Sequence, residues 1–230
     1  MPFARLLLCV PVLLILLLVP QAWAGERKAA FVDQGAKDAT FVSYRDKMLD
    51  AIVRRDVDEV VLAAAPDVHL DFGGGAGRAE FRQRLTLTEE DLAEEYGHLA
   101  DEQREQYWEA LEEVLRLGGV FTQPTRFEAP YTWSVELTES EEPFSTSFVV
   151  GTSVPLRGRP SKFGDVITLL DEDIVQVLEG GRGTEFLEIQ LVDGRRGFVH
   201  KDNLRSPIDY RAIFEKKAGL WLMTAFIAGD

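Results

Sequence analysis

The sequence predicts an α+β protein in which a small antiparallel β-barrel is attached to, or inserted in, a helical α+β domain. Three observations carry that prediction. Residues 148–206 break into short β-branched and apolar runs, each bounded by Gly, Pro, Asp or Ser. Upstream, apolar residues recur at spacings of three and four, as on one face of a helix. Downstream, two apolar arms flank a Gly-containing loop, which reads as a hairpin.

The first 24 residues read as a leader. Arg5 is its one charge, Leu6 to Val19 is apolar, Pro20 breaks the run, and Ala22 and Ala24 place small residues where a signal peptidase cuts. The apolar run is about 14 residues, short of the roughly 20 that span a bilayer, so no stable membrane insertion is expected after cleavage. Cys9 leaves with the leader, and the mature chain has no thiol for a disulfide or a nucleophile. The expected location is therefore exported, periplasmic or extracellular. With 39 Asp plus Glu against 25 Lys plus Arg, the net charge of −14 opposes nucleic acid and anionic lipid by Coulomb repulsion.

Residues 25–37 are small, polar and without period, and are expected to form a flexible lead-in. An N-terminal α+β domain is expected over residues 38–135. Its first helix runs from about Thr40, a candidate cap, to Arg55, with Phe41, Tyr44, Met48 and Ile52 on one face. A second short helix starts at Asp56 and stops before Pro66. Residues 67–72 alternate as a half-buried strand, Val68, Leu70 and Phe72 inward, Asp67, His69 and Asp71 outward. Gly73 to Gly77 turn the chain into a helix over Arg78 to Arg84. Thr88 to Asp91 resembles a capping box. The strongest helix spans Asp101 to Leu117, with Trp108, Leu111 and Leu115 in its stripe and Gly118-Gly119 as its stop. Phe121 to Val135 reads as irregular strands, and residues 136–147 as an acidic linker. After the barrel at 148–206, residues 207–230 form a hairpin that is a candidate to complete the N-terminal domain. Trp221, Met223, Ala225 and Ile227 are expected on one of its faces.

The runs at Leu156-Arg157, Pro160-Ser161, Val166 to Leu169, Ile174 to Leu178, Phe186 to Leu191, Asp193-Gly194 and Gly197 to Val199 follow one another as in the bacterial SH3-type domain, which this segment resembles. That resemblance implies a small barrel that binds through its loops, here from Val154 to Phe163 and from Gly180 to Glu185. Phe186 and Phe198 stand where many relatives carry Trp, which keeps aromatic volume and removes an indole donor. No string corresponds to the groove that reads PxxP ligands. The order of elements from Phe41 to Arg84, with the closing arms from Tyr210 to Gly229, is similar to the nuclear transport factor 2-like cone fold. That likeness implies a curved α+β domain with both chain ends in one sheet. The acidic helical stretch from Thr88 to Gly118 departs from it.

The residues offer little chemistry. His69 with Asp67 and Asp71 is the one His-carboxylate set at strand spacing; it reads as a metal set, as an oriented base beside Trp133, or as a solvated strand face. The glycine run lacks a dinucleotide fingerprint. Acid clusters such as Glu89, Glu90, Asp91, Glu94 and Glu95 follow capping signals and read as solvated helix faces. No GxSxG elbow or HExxH motif occurs. Arg157, Arg159 and Arg205, with Arg195 and Arg196, supply positive charge that suits a carboxylate-bearing ligand.

The reading that follows is an exported, non-catalytic binding protein with no cofactor and no metal. Its partner is a peptide, a cell-wall fragment or an envelope protein. Arg157, Arg159, Phe186 and Phe198 are its candidate contacts. One alternative places a small-molecule or enzymatic pocket in the flanking domain at His69, Asp71 and Trp133. Another makes the chain an accessory scaffold. Oligomeric state is not legible.

Overall fold

The computed structural model describes residues 27–178 and 185–229 and is α+β. The leader, most of the loop from Gly180 to Glu185, and Asp230 lie outside the described residues. Helices α1 (Ala39–Val53), α2 (Val57–Ala63), α3 (Arg78–Leu85) and α4 (Ala100–Arg116) precede most of the strands. Strand β1 (Ala64–His69) lies between α2 and α3, and β2 (Val120–Gln123) and β3 (Arg126–Ala129) follow α4.

The cap of α1 is Asp38, not Thr40. Its carboxylate accepts the amides of Thr40 at 2.7 Å and Phe41 at 3.1 Å. The Thr40 hydroxyl is left to accept the Trp221 indole at 3.1 Å, tying the helix start to the sheet. As the spacing predicts, α1 buries Phe41, Met48 and Ile52, and α4 buries Trp108, Leu111 and Leu115. Gly118 closes α4 at φ 66°. Thr88 and Asp91 bond each other around a short 3-10 turn, and α4 starts later.

The first sheet is ordered β1-β12-β11-β3-β2, where β11 (Arg211–Lys217) and β12 (Leu220–Ile227) are the hairpin arms. β12 is parallel to β1 and antiparallel to β11, which is antiparallel to β3. The hairpin turns at Ala218 and Gly219, both with positive φ, as a two-residue loop requires. Phe41 stacks into the sheet with its ring 4.2 Å from Phe127 and 5.0 Å from Trp221. Each such buried aromatic contributes about 1.5–3 kcal/mol by leaving water.

Three local expectations over these elements are corrected. Strand β1 ends at His69, the chain turns at Asp71, and Phe72 is exposed. Phe226, not Ile227, enters the core, because Ile213 pairs with Ala225 and Phe214 with Met223. That leaves Thr224 as a bulge which reverses the inward face. The segment expected to stay extended to Val135 instead closes as a 3-10 turn over Tyr131–Ser134.

The second sheet has seven strands in the order β10-β4-β7-β8-β9-β5-β6, all antiparallel. These are β4 (Thr146–Val149), β5 (Val154–Arg157), β6 (Val166–Leu170), β7 (Ile174–Val177), β8 (Phe186–Gln190), β9 (Arg196–His200) and β10 (Leu204–Arg205). Val149, Val154, Leu156, Leu170, Val175, Ile189 and Val199 form one core from six of those strands. The expected closed barrel is not seen, because β6 and β10 remain as ends.

A third cluster, Ala29, Tyr131, Phe148 and Ile174, lies between the sheets. It accounts for a further correction, since the expected flexible lead-in is tethered. The amide of Ala29 donates to Glu172 at 2.7 Å, Ile174 donates to Arg27, and Gln34 donates to Gly119 at 2.8 Å. Lys28 pairs with Asp173 at 2.5 Å and Asp33 with Arg45 at 2.9 Å. Arg205, 2 % exposed at its side chain, reaches from β10 to Glu113 of α4 at 2.7 Å and to the Tyr210 carbonyl.

A candidate binding cleft on the second sheet

Strand alternation builds the site. On β5, Val154 and Leu156 point into the core, which sends Pro155 and Arg157 to the outer face. Arg157 lies opposite Phe198, Phe198 opposite Glu188, and Phe186 opposite His200. Residues directly opposite share a face, so Arg157, Phe198, Phe186 and His200 stand together across β5, β9 and β8. Three of the four residues that the sequence nominates here are thus neighbours on one surface. Arg159 sits apart from them, exposed in the loop between β5 and β6.

At one end of that face is a cleft of about 170 Å³ lined by Pro155, Arg157, Lys162, Phe186, His200 and Asn203. Phe186 is nearly buried and meets the His200 ring edge-on at 5.0 Å. The Arg157 guanidinium donates to the Gly164 carbonyl at 2.8 Å, which fixes the loop above the cleft. The cleft therefore combines two cations, an amide and an aromatic wall. A carboxylate fits that set, since guanidinium and ammonium donors make strong charge-assisted hydrogen bonds to it. Lys162 was covered only by the nominated loop from Val154 to Phe163 and not singled out, and His200 escaped the sequence reading. Only strand register could have found His200, and only the return of the loop brings Lys162 back.

The charges nearby sharpen the assignment. Arg195 pairs with Asp193 at 2.6 Å, Arg205 with Glu113, and Arg196 donates to the Gln190 amide oxygen at 2.8 Å. Arg195 and Arg205 are thus paired with acids within the fold; Arg196, like Arg157, has a hydrogen bond but no carboxylate partner among the described residues, and it lies outside the cleft. Arg157, Arg159 and Lys162 have no carboxylate within 4 Å among the described residues.

The other nominated set does not assemble into a reactive site. Asp71 accepts the Gly75 amide at 2.7 Å and pairs with Arg84 at 2.5 Å, and those two contacts hold its carboxyl below the usual carboxylate range. It is a turn anchor. His69 is exposed, and its side chain makes no hydrogen bond among the described residues. Trp133 faces the Arg211 guanidinium at 5.2 Å, and Arg211 also lies 5.7 Å from the Phe72 ring. Larger grooves occur elsewhere. One of about 580 Å³ has an apolar floor that includes Met48, Leu62 and Trp221, and Arg54 on its rim pairs with Asp50 and Glu59. Among the described residues no group of three or more His, Cys, Asp or Glu is placed to hold a metal, and no helix is long and apolar enough to cross a membrane.

No protein-family model matches the chain, and no curated protein matches it. A solved structure provisionally described as a calcium/calmodulin dependent protein kinase II association domain, from Xanthomonas campestris, is similar over 87 % of this chain and 96 % of its own, at 15 % identity and a TM-score of 0.24. A likeness that slight carries no argument about fold or activity.

Proposed function

We propose that this is an exported, non-catalytic binding protein. Its second sheet is an SH3-like module that recognises carboxylates on a peptide, whether in a partner protein of the envelope or in the peptide part of a cell-wall fragment. The observation that carries the reading is that Arg157 and Lys162 in the aromatic cleft, with Arg159 in the adjoining loop, have no carboxylate within 4 Å among the described residues, in a chain of net charge −14. Recognition is static and uses no cofactor. The first sheet and its helices are read as a nuclear transport factor 2-like support with the module inserted between β3 and β11. The parallel pairing of β1 with the last strand supports that reading.

A charge-assisted hydrogen bond contributes about 1.5–3 kcal/mol, so losing both cleft cations weakens binding by roughly a hundredfold to ten-thousandfold. The test is cosedimentation with purified cell wall, together with titration of a glutamate-rich peptide, for the native protein and for Arg157→Gln/Lys162→Gln. Binding by the native protein at low salt that is lost in the variant is the expected result. Equal retention of both proteins, or no binding of either probe, overturns the reading.

A further inference from the structure

The two sheets have four end strands, and one of them is unlike the rest. β10 has two residues, β1 contains Pro66, and β2 closes on Thr122 and Gln123. β6 reads Val166-Ile167-Thr168-Leu169-Leu170, with no proline and no charge inside it. Among the described residues nothing pairs with its far side. Val166 is 51 % exposed, Ile167 46 % and Leu169 55 %, and Phe163 in the adjoining loop is 78 % exposed. Natural sheets protect such an edge with Lys, Pro, a bulge or a cover, because unpaired N–H and C=O groups beside apolar side chains recruit another strand. The one protection here is a bulge at Ile167, between the pairs Leu156–Thr168 and Arg157–Val166. Four large apolar side chains remain in water around it.

The same edge runs into the cationic corner. Val166 lies opposite Arg157, and Arg159, Lys162 and Phe163 belong to the loop that joins β5 to β6. A ligand that follows β6 therefore meets apolar side chains along its length and unpaired positive charge at one end.

We infer that β6 is a docking edge, and that the partner is an extended polypeptide which adds to the sheet as an eighth strand, apolar along its body and acidic where it reaches Arg157, Arg159 and Lys162. This rests on the reading of the cleft as a carboxylate site and narrows it. Main-chain pairing requires a regular peptide backbone, so a glycan is not the ligand of this edge. A second copy of this chain is the less favoured occupant, because two copies bring their excess negative charge together, whereas a local acidic segment is complementary to the corner.

The probe is a blocked hexapeptide that alternates valine and threonine and ends in two glutamates, titrated into the full mature chain. An added strand points every second amide at β6. N-methylation of one alternate set of peptide amides is therefore expected to weaken binding about tenfold or more, while methylation of the other set leaves it nearly unchanged. The amides of residues 166–170 are expected to gain hydrogen-exchange protection when the peptide binds. Leu169→Lys, at an exposed position with an unchanged melting temperature, is expected to lose binding by a similar factor. If Arg157→Gln/Lys162→Gln abolishes binding but both methylated peptides bind like the parent, the strand edge is refuted and the carboxylate cleft stands. If the parent peptide does not bind, both fall. Protection of 166–170 without peptide, together with a dimer in sedimentation, assigns the edge to a second copy and overturns the proposal.

Discussion

The contact between Arg205 and Glu113 allows a prediction whose sign runs against simple contact counting. Arg205 is 2 % exposed at its side chain and Glu113 is 47 % exposed. Removing the acid strands a cation that water cannot reach, whereas removing the cation leaves an acid that can rehydrate. Stranding a buried charge costs about 3–5 kcal/mol, and near-half exposure of the acid reduces this to about 2–3 kcal/mol for Glu113→Ala. Arg205→Met keeps most of the side-chain volume and loses the charge-assisted hydrogen bond to the Tyr210 carbonyl, which is worth about 1.5 kcal/mol. Relief of the desolvation of the guanidinium offsets part of that loss. In thermal unfolding followed by circular dichroism at neutral pH, Glu113→Ala is expected to lower the midpoint by about 5–10 °C and Arg205→Met by less than half as much. The double variant is expected to match Arg205→Met, since the stranded cation has gone. A Glu113→Ala variant as stable as Arg205→Met, or a double variant worse than either single one, refutes the reasoning.

Two further outcomes follow from local geometry. A Cβ added at Gly119 would stand 2.2 Å from the Glu128 carbonyl oxygen and 2.9 Å from the Phe127 ring, so Gly119→Ala must push β2 away from β3. Its expected cost is about 3 kcal/mol, measured by urea denaturation. Asp38 is held well below the usual carboxylate range, first by the Thr40 hydroxyl and then by Lys216. Such a group stabilises the fold at pH above the ordinary carboxylate value and loses that contribution as pH falls through its lowered native value. Melting temperature is therefore expected to hold from neutrality to about pH 5 and to fall below about pH 4. Asp38→Ala is expected to cost about 1 kcal/mol at neutral pH and to flatten part of the acid limb. An acid limb identical to that of the native chain contradicts this assignment.

Much of the fold was legible because its signals are local. The stripe of Trp108, Leu111 and Leu115 needs only the helical period, and the hairpin needs only two apolar arms with a glycine between them. The failures have a shared cause in contacts that no window of sequence contains. Phe72 continues the alternation of Val68 and Leu70, yet the Asp71 carboxylate takes the Gly75 amide and the chain has already turned. Phe226 displaces Ile227 because one residue, Thr224, bulges out of the ladder, and a bulge shifts every later side chain to the other face. Residues 27–37 have no period, and their order comes from backbone partners such as Glu172 and Gly119, far along the chain.

The candidate site divides in the same way. Arg157, Phe186 and Phe198 were nominated from charge and from the resemblance to an SH3-type domain, and strand register puts them on one face. Which arginines remain available was hidden, because ion pairing is decided by the fold. Asp193 takes Arg195 within its own turn, and Glu113 takes Arg205 across the boundary between the sheets. With so many carboxylates in the chain, most guanidinium groups meet one. Where the strand order carries Arg157, Arg159 and Lys162 to the rim beside β6, no carboxylate of the described residues is within 4 Å. Folding therefore leaves an acidic protein with a small region of opposite sign, set against its most apolar sheet edge. If β6 docks a strand as proposed, that juxtaposition, and neither feature by itself, would give the edge a preferred direction, because a charge at one end distinguishes the two ways of laying a peptide along β6.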